Sequence, residues 1–535
     1  MQHRPPLSPG SGPLLPFPTA LLAAVAGGLS LNAAFPGLGW WPLAFVAIAL
    51  ALLSLEGRSL PESVLVGAAF GAGFYFPHVS WAGSFLGDNP WSWVPWVALA
   101  SAETLLMAAL SPLITLAYRW FPSNLRGRAG GIVALSALVA GAWLVREIVL
   151  GSWPYGGFPW GRLGMSQSAS PFAQLASWIG VSGLGFIMVM LSASLLELLR
   201  ISIRSHRRDV ATRRDLLARI PIRKAVTLLV GIGILALVPQ YPTENAGSLR
   251  VGAVQGNGPA AYADTRRAGE VLAAQLAASQ ELEGEDVDLV LWPEGGVDLD
   301  PIEDPGTALQ LTSAARAYGA PILLNAAVET DNEVYNRSLL WSETGPVGSH
   351  AKRHPVPFGE YVPDRWLYEK IAPGLVGMLQ REYLPGDEPP LLETDGVEAG
   401  LAICFDVVFD EVITESVLGG SQVHLFQTNN ADFRGTDEHL QQLAFARMRG
   451  IETGRSVVNL STTGSSQVFD PAGNAVAELA ADTAGAMVVD VELRNGVTAG
   501  VAVGPWVHGA LLWGTPTVLA GLGALVRARR RSTSS

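Results

Sequence analysis

The chain has 535 residues, of which 49% are hydrophobic and 15% charged, and its formal net charge is −12. Soluble proteins usually have about a quarter of their residues charged, so this composition indicates a membrane protein. Because the net charge is negative and the predicted soluble part has no basic stripe, nucleic acid is not expected as a partner. The single cysteine, Cys404, excludes an intramolecular disulfide.

Apolar stretches of the length that crosses a bilayer occur before residue 241 and again near the C-terminus. The first has no small-residue cleavage site, so we expect a retained helix rather than a signal peptide. Seven helices are predicted within 14–241 and an eighth at 503–526, between a tail at 1–13 and a basic tail at 527–535. The individual predictions are 14–35, 39–55, 62–86, 92–118, 129–150, 172–199, 221–241 and 503–526.

Arginines indicate the orientation of these helices. They collect in the termini and in alternate loops, most densely in 200–224, and cytoplasmic loops are the ones that accumulate positive charge. We therefore expect both termini in the cytoplasm and the segment between the last two helices outside it. The basic loop at 200–224 is interpreted as a contact with anionic lipid headgroups.

The segment 249–495 has the composition of a water-soluble domain, in which short apolar runs alternate with helical patterns. Helices are expected near 264–282 and over "DEHLQQLAFARMRGIETGR" at 437–455. The alternation predicts a layered α/β domain. The predicted strands are "LRVGAVQGN", "VDLVLWPEGG", "PILLNAAVE", "YNRSLLWS", "AGLAICF" and "VHLFQTNN".

Three chemically distinct side chains lie at or beside predicted strand ends. Glu294 follows "LVLWP", Lys352 precedes a proline-rich loop, and Cys404 ends "LAIC". A carboxylate that takes the thiol proton, an ammonium that stabilises an oxyanion and a thiolate that attacks would together form a nucleophilic site. From position alone, Cys404 could equally be a small buried hydrophobe, and Lys352 a solvated lysine, although the chain has only three lysines.

An ordered set of motifs carries a family resemblance. They are "VQGN" at 254–257, "WPE" at 292–294, "YN" at 335–336, "K…PFGEYVP" at 352–363, "ICFD" at 403–406 and "ARMRGIETGR" at 446–455. The domain resembles the carbon–nitrogen hydrolase (nitrilase) superfamily, which implies an αββα sandwich. With its flanking helices, the whole chain resembles the apolipoprotein N-acyltransferase family.

The resemblance implies a two-step ping-pong acyl transfer. Cys404 would take an acyl chain from a membrane phospholipid and pass it to the N-terminal amine of a diacylated apolipoprotein. Glu294 would be the general base and acid, and Lys352 would stabilise the oxyanion together with the backbone N–H of Phe405. The family implies a bacterial cell-membrane protein that needs no cofactor, and we expect a monomer.

Further residues are assigned supporting roles by the same resemblance. Glu360 is expected to hold Lys352 or to tune Glu294, with an ordinary loop carboxylate as the alternative. Asn336 is expected to order the site by hydrogen bonding, with a turn-forming role as the alternative. Phe405 and Asp406 stand where the family often has Tyr-Glu, so we expect substrate preference to differ.

Two groups in the predicted bundle were considered for substrate contact. Arg146 and Glu147 lie near the outer end of the fifth helix, where ionisable residues are costly unless paired or functional, so a phospholipid headgroup contact is hypothesised. Trp153 and Trp160, in the next loop, either anchor the interface or line a lipid entrance. His350 and His354 flank Lys352, but without a second ligand cluster no metal site is predicted.

Three functions compete on this evidence. The first is phospholipid-dependent acyl transfer to lipoproteins, and the second is amide or nitrile hydrolysis by a membrane-tethered carbon–nitrogen hydrolase. The third is a non-enzymatic multispan scaffold. The Glu294, Lys352 and Cys404 set argues against the scaffold. Eight predicted spans, where one would tether a hydrolase, favour acyl transfer.

Overall fold

The structure is a computed structural model that describes residues 12–126, 128–208, 222–379 and 381–532. The chain divides into two compact units. The helical unit comprises Met1–Ser80, Val94–Pro239 and Val503–Ser535. The second unit comprises Trp81–Trp93 and Gln240–Ala502, and it is called the catalytic unit because the sequence predicts the nucleophilic site within it. The second unit contains the whole predicted soluble domain and, in addition, a short segment that runs from the end of the predicted helix 62–86 to the start of the predicted helix 92–118.

The first eight helices belong almost wholly to the helical unit. Helix α3 begins with a capping box, in which Ser59 Oγ accepts from the Glu62 N–H and Glu62 Oε2 accepts from the Ser59 N–H. The bounds are α1 Phe17–Ala34, α2 Leu43–Leu55, α3 Leu60–His78, α4 Trp93–Leu110, α5 Pro112–Trp120, α6 Ala129–Leu150, α7 Ala176–Arg208 and α8 Ile222–Ala236.

Close packing in this unit depends on small residues. A Cβ added at Gly28 of α1 would lie 2.3 Å from the Phe70 carbonyl oxygen of α3, so only glycine allows the two backbones to approach this closely. Inside the bundle, Glu56 pairs with Arg200 of α7 and lies 3.5 Å from Arg126, which neutralises a carboxylate that is 6% exposed.

The predicted bounds of three helices were wrong in ways that local chemistry explains. The segment 62–86 ends as an α-helix at His78, just after Pro77, and continues as a 3₁₀ turn over Ser80–Ser84. The segment 92–118 divides after Leu110 because Pro112, which has no backbone N–H, begins a new helix. The segment 172–199 starts later, at Ala176, and runs to Arg208.

The catalytic unit contains two six-stranded sheets. The first has the order β12-β1-β2-β3-β4-β5, in which β1, β2 and β3 are parallel. Its strands are β1 Glu244–Gln255, β2 Leu289–Leu291, β3 Ile322–Thr330, β4 Glu333–Ser342, β5 Gly345–Ala351 and β12 Gly485–Asn495.

The second sheet has the order β11-β10-β9-β8-β7-β6, in which β7, β8 and β9 are parallel. Its strands are β6 Leu391–Thr394, β7 Val397–Ile403, β8 Val423–Thr428, β9 Val457–Ser461, β10 Ser466–Phe469 and β11 Ala475–Leu479. The helices of the unit are α9 Glu270–Ser279, α10 Pro305–Tyr318, α11 Arg365–Ile371, α12 Pro373–Val376, α13 Asp410–Leu418 and α14 Glu438–Thr453.

The sheets pack face to face over an apolar core that includes Val251 and Leu291 of the first sheet and Leu401, Leu425 and Val458 of the second. A second core, between the outer face of the first sheet and helices α9 and α10, includes Trp292 and Trp341. Helices α13 and α14 pack against β7 and β9 of the second sheet. This arrangement confirms the predicted layered α/β sandwich, and every strand predicted from the sequence is present.

The chain closes with helix α15 Ala499–Gly509, a π-turn over Ala510–Gly514 and helix α16 Thr515–Ser532, which together replace the predicted single helix at 503–526. Within the described residues, five helical segments are long and apolar enough to cross a membrane, and α2 is a shorter apolar helix. The five are Phe17–Ala34, Trp93–Trp120, Ala129–Leu150, Ala173–Ile201 and Ala499–Ser532. The count of eight stays a prediction.

Candidate active site

Glu294, Lys352 and Glu360 form a buried ionic cluster. Glu294 follows the short strand β2, and Lys352 is the first residue after β5. Lys352 Nζ lies 3.2 Å from Glu294 Oε1 and 2.8 Å from Glu360 Oε2, and the lysine side chain is 1% exposed. A single ammonium therefore bridges two carboxylates that the chain separates by 66 positions (360 − 294).

Asn336 of β4 joins the same two carboxylates from the other side. Its Nδ2 donates to Glu294 Oε1 at 2.8 Å and to Glu360 Oε1 at 3.1 Å. Its Oδ1 accepts from Asn325 Nδ2 at 2.8 Å, and Asn325 Oδ1 in turn accepts from the Gly295 N–H at 2.7 Å. The amide orientation of Asn336 is thus fixed, and the predicted ordering contact exists. Sequence reasoning missed Asn325, a polar residue within the apolar run "ILLNAAV" of strand β3.

Cys404 directly follows strand β7, at the carboxyl end of the parallel strands of the second sheet. Its φ is +51°, a left-handed conformation that non-glycine residues rarely adopt and that recurs at functional sites. The residue is partly exposed, unlike its neighbours Ile403 and Phe405. Gln442 Nε2 of α14 donates to its sulfur at 3.5 Å. The residue is therefore partly exposed, although its thiol lies among buried groups.

Electrostatics couple the thiol to the ionic cluster. Burial raises the pKa of Cys404 well above its ordinary value; Glu294 raises it further, and Lys352 acts in the opposite direction. Burial also raises the pKa of Glu294, which Lys352 partly offsets. Burial acts to lower the pKa of Lys352, but Glu294 and Glu360 outweigh it and hold that pKa well above the usual value. The thiol is thus electrostatically coupled to Glu294 and to Lys352, and the pKa values of the thiol and of the Glu294 carboxyl are both raised.

Asp406 ties together the two loops that carry Lys352 and Cys404. Its Oδ1 accepts from the His354 N–H at 2.8 Å, and its Oδ2 from the N–H groups of Arg353 at 3.2 Å and Ile403 at 3.3 Å. Asp406 is fully buried, and these bonds connect the two residues that follow Lys352 with the end of the strand that precedes Cys404. The Phe405 side chain is buried against Phe409, with 5.0 Å between ring centroids.

The other predicted contacts lie in the helical unit. Arg146 is 2% exposed, with its guanidinium 4.1 Å from the Trp143 ring centroid. Glu147 accepts from Trp143 Nε1 at 2.7 Å and from the Leu163 N–H at 3.2 Å. Trp160 is buried, whereas Trp153 is 62% exposed. Three of the four are thus packed inside their own unit, and a role in substrate binding stays a prediction.

Comparison with known proteins identifies the family. Residues 27–194 match the apolipoprotein N-acyltransferase N-terminal domain, and residues 250–498 match the carbon-nitrogen hydrolase domain. An apolipoprotein N-acyltransferase of Mycolicibacterium smegmatis is 31% identical over 540 residues, which cover 95% of this chain and 84% of that protein. The chain belongs to the apolipoprotein N-acyltransferase family.

A further relative of that name, from Azotobacter vinelandii, is 31% identical over 475 residues, with 85% of this chain and 86% of that protein covered. Among solved structures, a CN-hydrolase superfamily protein of Xanthomonas campestris aligns with 50% of this chain and 96% of its own, at 20% identity and a TM-score of 0.35. The resemblance drawn from the motifs is confirmed, and the chain is an enzyme of the apolipoprotein N-acyltransferase type.

Proposed function

We propose that this protein transfers an acyl chain from a membrane phospholipid to the N-terminal amine of diacylglyceryl-cysteine lipoproteins, through a thioester on Cys404. The observation that carries the proposal is the similarity to apolipoprotein N-acyltransferases along 95% of the chain, which includes both the helical and the hydrolase-like parts. The ionic cluster beside a partly exposed thiol supports a covalent mechanism.

In the first half-reaction, Glu294 takes the proton of the Cys404 thiol while the sulfur attacks the ester carbonyl of the phospholipid. The carbonyl oxygen becomes an oxyanion, which the Lys352 ammonium and the Phe405 N–H stabilise. When the intermediate collapses, the ester C–O bond breaks and Glu294 returns the proton to the leaving alkoxide. The products are an acyl-thioester and a lysophospholipid.

In the second half-reaction, the free amine of the lipoprotein attacks the thioester carbonyl. Glu294 accepts the amine proton, the same cation stabilises the second oxyanion, and the C–S bond breaks to release thiolate. The thiolate recovers the proton from Glu294, so the enzyme returns to its starting state with an amide as product. Two acyl transfers of moderate difficulty replace one difficult transfer.

Glu360, Asn336 and Asp406 act as positioning residues in this scheme. Glu360 and Asn336 hold Lys352 and Glu294 at hydrogen-bonding distance, which keeps the cation available to the oxyanion. Asp406 keeps the lysine loop beside the nucleophile loop. None of the three needs to exchange a proton during turnover.

The helices would embed the enzyme in the bacterial cell membrane, close to its lipid substrates. We propose eight spans, with both termini in the cytoplasm and 249–495 on the outer face, which is supported by the arginine-rich alternate loops. Arg146 and Glu147 would face the phospholipid headgroup, and Trp153 and Trp160 would border the lipid entrance. The acceptor would reach the same thiol from the outer surface.

Mass spectrometry of the detergent-solubilised full-length protein tests this proposal. After incubation with phospholipid alone, we expect an acyl mass increment on Cys404 that Cys404→Ala lacks and that a diacylated lipopeptide discharges. Failure to acylate Cys404 would refute acyl transfer. Release of ammonia from simple amides without acyl loading would instead identify a membrane-tethered carbon–nitrogen hydrolase.

A further inference from the structure

A chain of buried polar groups lies behind the candidate nucleophile and leads from a backbone amide to its sulfur. Its side chains belong to Ser461 at the end of β9, Asn430 just after β8, and Gln442 of α14. All three are at most 3% exposed. None of them belongs to the ionic cluster of Glu294, Lys352 and Glu360. Buried amides of this kind require fixed partners, because an unsatisfied one is costly.

A backbone donor lies at the far end of this chain of hydrogen bonds. The Gly464 N–H can only donate, and it donates to Ser461 Oγ at 2.9 Å. The Ser461 hydroxyl then donates to Asn430 Oδ1 at 2.6 Å. A Cβ at Gly464 would lie 2.3 Å from Asn430 Oδ1, so the turn that holds the asparagine requires glycine.

A second contact fixes the same amide independently. Asn430 Nδ2 donates to Glu438 Oε2 at 2.7 Å and to Gln442 Oε1 at 2.7 Å. An amide nitrogen only donates, so rotating the Asn430 amide would turn its oxygen toward the Gln442 Oε1 acceptor and lose that hydrogen bond. With Gln442 Oε1 facing Asn430, the glutamine must direct its Nε2 the other way.

Gln442 Nε2 therefore donates to the sulfur of Cys404, at 3.5 Å. We propose that Gln442 is a further catalytic residue, whose amide N–H stabilises the Cys404 thiolate before attack and when it leaves the thioester, and that Asn430 positions it. This inference rests on the proposed function, because it takes Cys404 as the nucleophile.

The surroundings of the sulfur explain why a neutral donor is useful there. Burial, Glu294, Glu438 and Glu360 all raise the pKa of Cys404, and Lys352 is the cation that opposes them. Lys352 is already engaged by two carboxylates. An amide donor favours thiolate by a charge-assisted hydrogen bond without adding a charge that would pair with Glu294.

The rate of Cys404 alkylation by iodoacetamide, followed against pH without substrate, tests the inference. Only the thiolate reacts, so the midpoint of the profile reports the thiol pKa. Removing the donor in Gln442→Leu should raise the midpoint by about one pH unit, which is about a tenfold slower reaction at lower pH. Gln442→Glu has the same shape but adds negative charge, so its midpoint should lie higher still.

Gln441→Leu is the matched control, because Gln441 is a buried amide one position earlier that accepts from Trp81 Nε1 at 3.2 Å. Its alkylation midpoint should equal that of the unmodified protein. Asn430→Leu, which releases Gln442, should shift the midpoint in the same direction as Gln442→Leu. Thermal unfolding of each detergent-solubilised variant identifies any that is misfolded. If Gln442→Leu is misfolded, the alkylation midpoint of Gln442→Glu tests the inference in its place.

Unchanged midpoints in both Gln442 variants would overturn the inference and leave the proposed function standing. Conversely, a shifted midpoint in an enzyme that never forms an acyl-thioester would refute the proposed function and leave the contact to the sulfur intact. For acyl transfer itself, we expect Gln442→Leu to slow both half-reactions by about tenfold, in line with the loss of one hydrogen bond to a charged sulfur.

Discussion

The helical unit and the catalytic unit each contain a buried cluster of charged side chains, and the two clusters balance their charges differently. In the helical unit, Glu56 faces Arg200 and Arg126, and Arg200 also lies 3.4 Å from Glu197, so two carboxylates meet two guanidinium groups. In the catalytic unit, the single ammonium of Lys352 faces both Glu294 and Glu360.

This difference indicates what distinguishes a reactive cluster from a structural one. In the helical cluster each buried carboxylate has a guanidinium partner, so neither charge is left uncompensated. In the catalytic unit, one carboxylate remains in excess beside a thiol, and the pKa values of Glu294 and Cys404 are both raised, first by burial. The excess carboxylate beside a thiol marks the candidate site, and neither burial of charge nor imbalance alone does so, since Arg449 also lies 2.7 Å from each of two carboxylates.

The largest expected effect comes from removing the only cation of the catalytic cluster. Lys352→Met should slow thioester formation on Cys404 by about 10³-fold, because the oxyanion loses its main stabilising charge. It should also lower the free energy of unfolding by about 3 kcal/mol, since two carboxylates stay buried without their counter-ion. Single-turnover mass spectrometry and chemical unfolding measure the two effects.

Lys370→Met is the matched control for that substitution. Lys370 lies on the exposed helix α11, with its ammonium 5.4 Å from the Trp366 ring centroid, so neither rate nor stability should change appreciably. Lys352→Arg tests shape, since a planar guanidinium cannot occupy the position of a compact ammonium between two carboxylates. Thioester formation in Lys352→Met within tenfold of the unmodified rate would contradict the proposed role of the cation.

A slightly smaller loss of the rate of thioester formation is expected when the carboxylate of the proposed base, Glu294, is replaced by an uncharged group of the same shape. Glu294→Gln should slow thioester formation by about 10²-fold to 10³-fold, because the amide cannot take the thiol proton. The reference is Glu388→Gln, which alters a carboxylate of the same unit that pairs with Arg337 at 2.8 Å and forms no ion pair with Lys352 among the described residues. Equal rates in these two variants would exclude Glu294 as the base.

The sequence predicted the reactive side chains of this site better than the residues and the backbone conformation that position them. Glu294 and Cys404 follow parallel strands, and a polar residue after an apolar run is a visible signal. Gln442 and Asn430 gave no such signal, because amides are common on helices and in turns. Likewise, the left-handed backbone of Cys404 follows from tertiary packing and not from its residue type.

Hydropathy alone also did not predict the division between α4 and α5 or the unit to which Trp81–Trp93 belongs. A window of apolar residues runs across Ser111 and Pro112, so it merges α4 and α5, although the proline itself was a warning. The assignment of Trp81–Trp93 to the catalytic unit depends on contacts such as that of Trp81 with Phe433, whose ring centroids are 5.0 Å apart. The residue pattern of Trp81–Trp93 does not predict that this segment belongs to the catalytic unit.

A moderate effect is expected on the pH dependence of thioester formation, which tests whether Glu294 is the base. Thioester formation should rise with pH as Glu294 ionises, with a midpoint above the ordinary glutamate range because burial raises that pKa. The Asn336 amide donates to the ionised carboxylate and so lowers the pKa. Asn336→Ala should therefore move the rising limb to higher pH by about half a unit to one unit.

The control for this shift is the plateau rate at high pH, where Glu294 is ionised in both proteins. There, Asn336→Ala should retain most of its activity, because the base is again in its reactive form. A limb that moved to lower pH, or a uniform fall at every pH, would mean that Asn336 acts through Lys352 or through folding and not through the proton affinity of Glu294.

The smallest effect is expected in the helical unit, where Glu56 has two cationic partners. Arg126→Gln removes one partner of Glu56 at 3.5 Å but leaves Arg200 in place, so the free energy of unfolding should fall by less than about 1 kcal/mol, as for other replaceable ion pairs. Thioester formation should be unchanged, since the pair lies in the other unit. Thermal unfolding in detergent and single-turnover acylation measure both quantities. A tenfold loss of acylation in a folded Arg126→Gln protein would show that the balanced cluster of the helical unit contributes to catalysis. The balance of charge would then not distinguish a structural cluster from a reactive one.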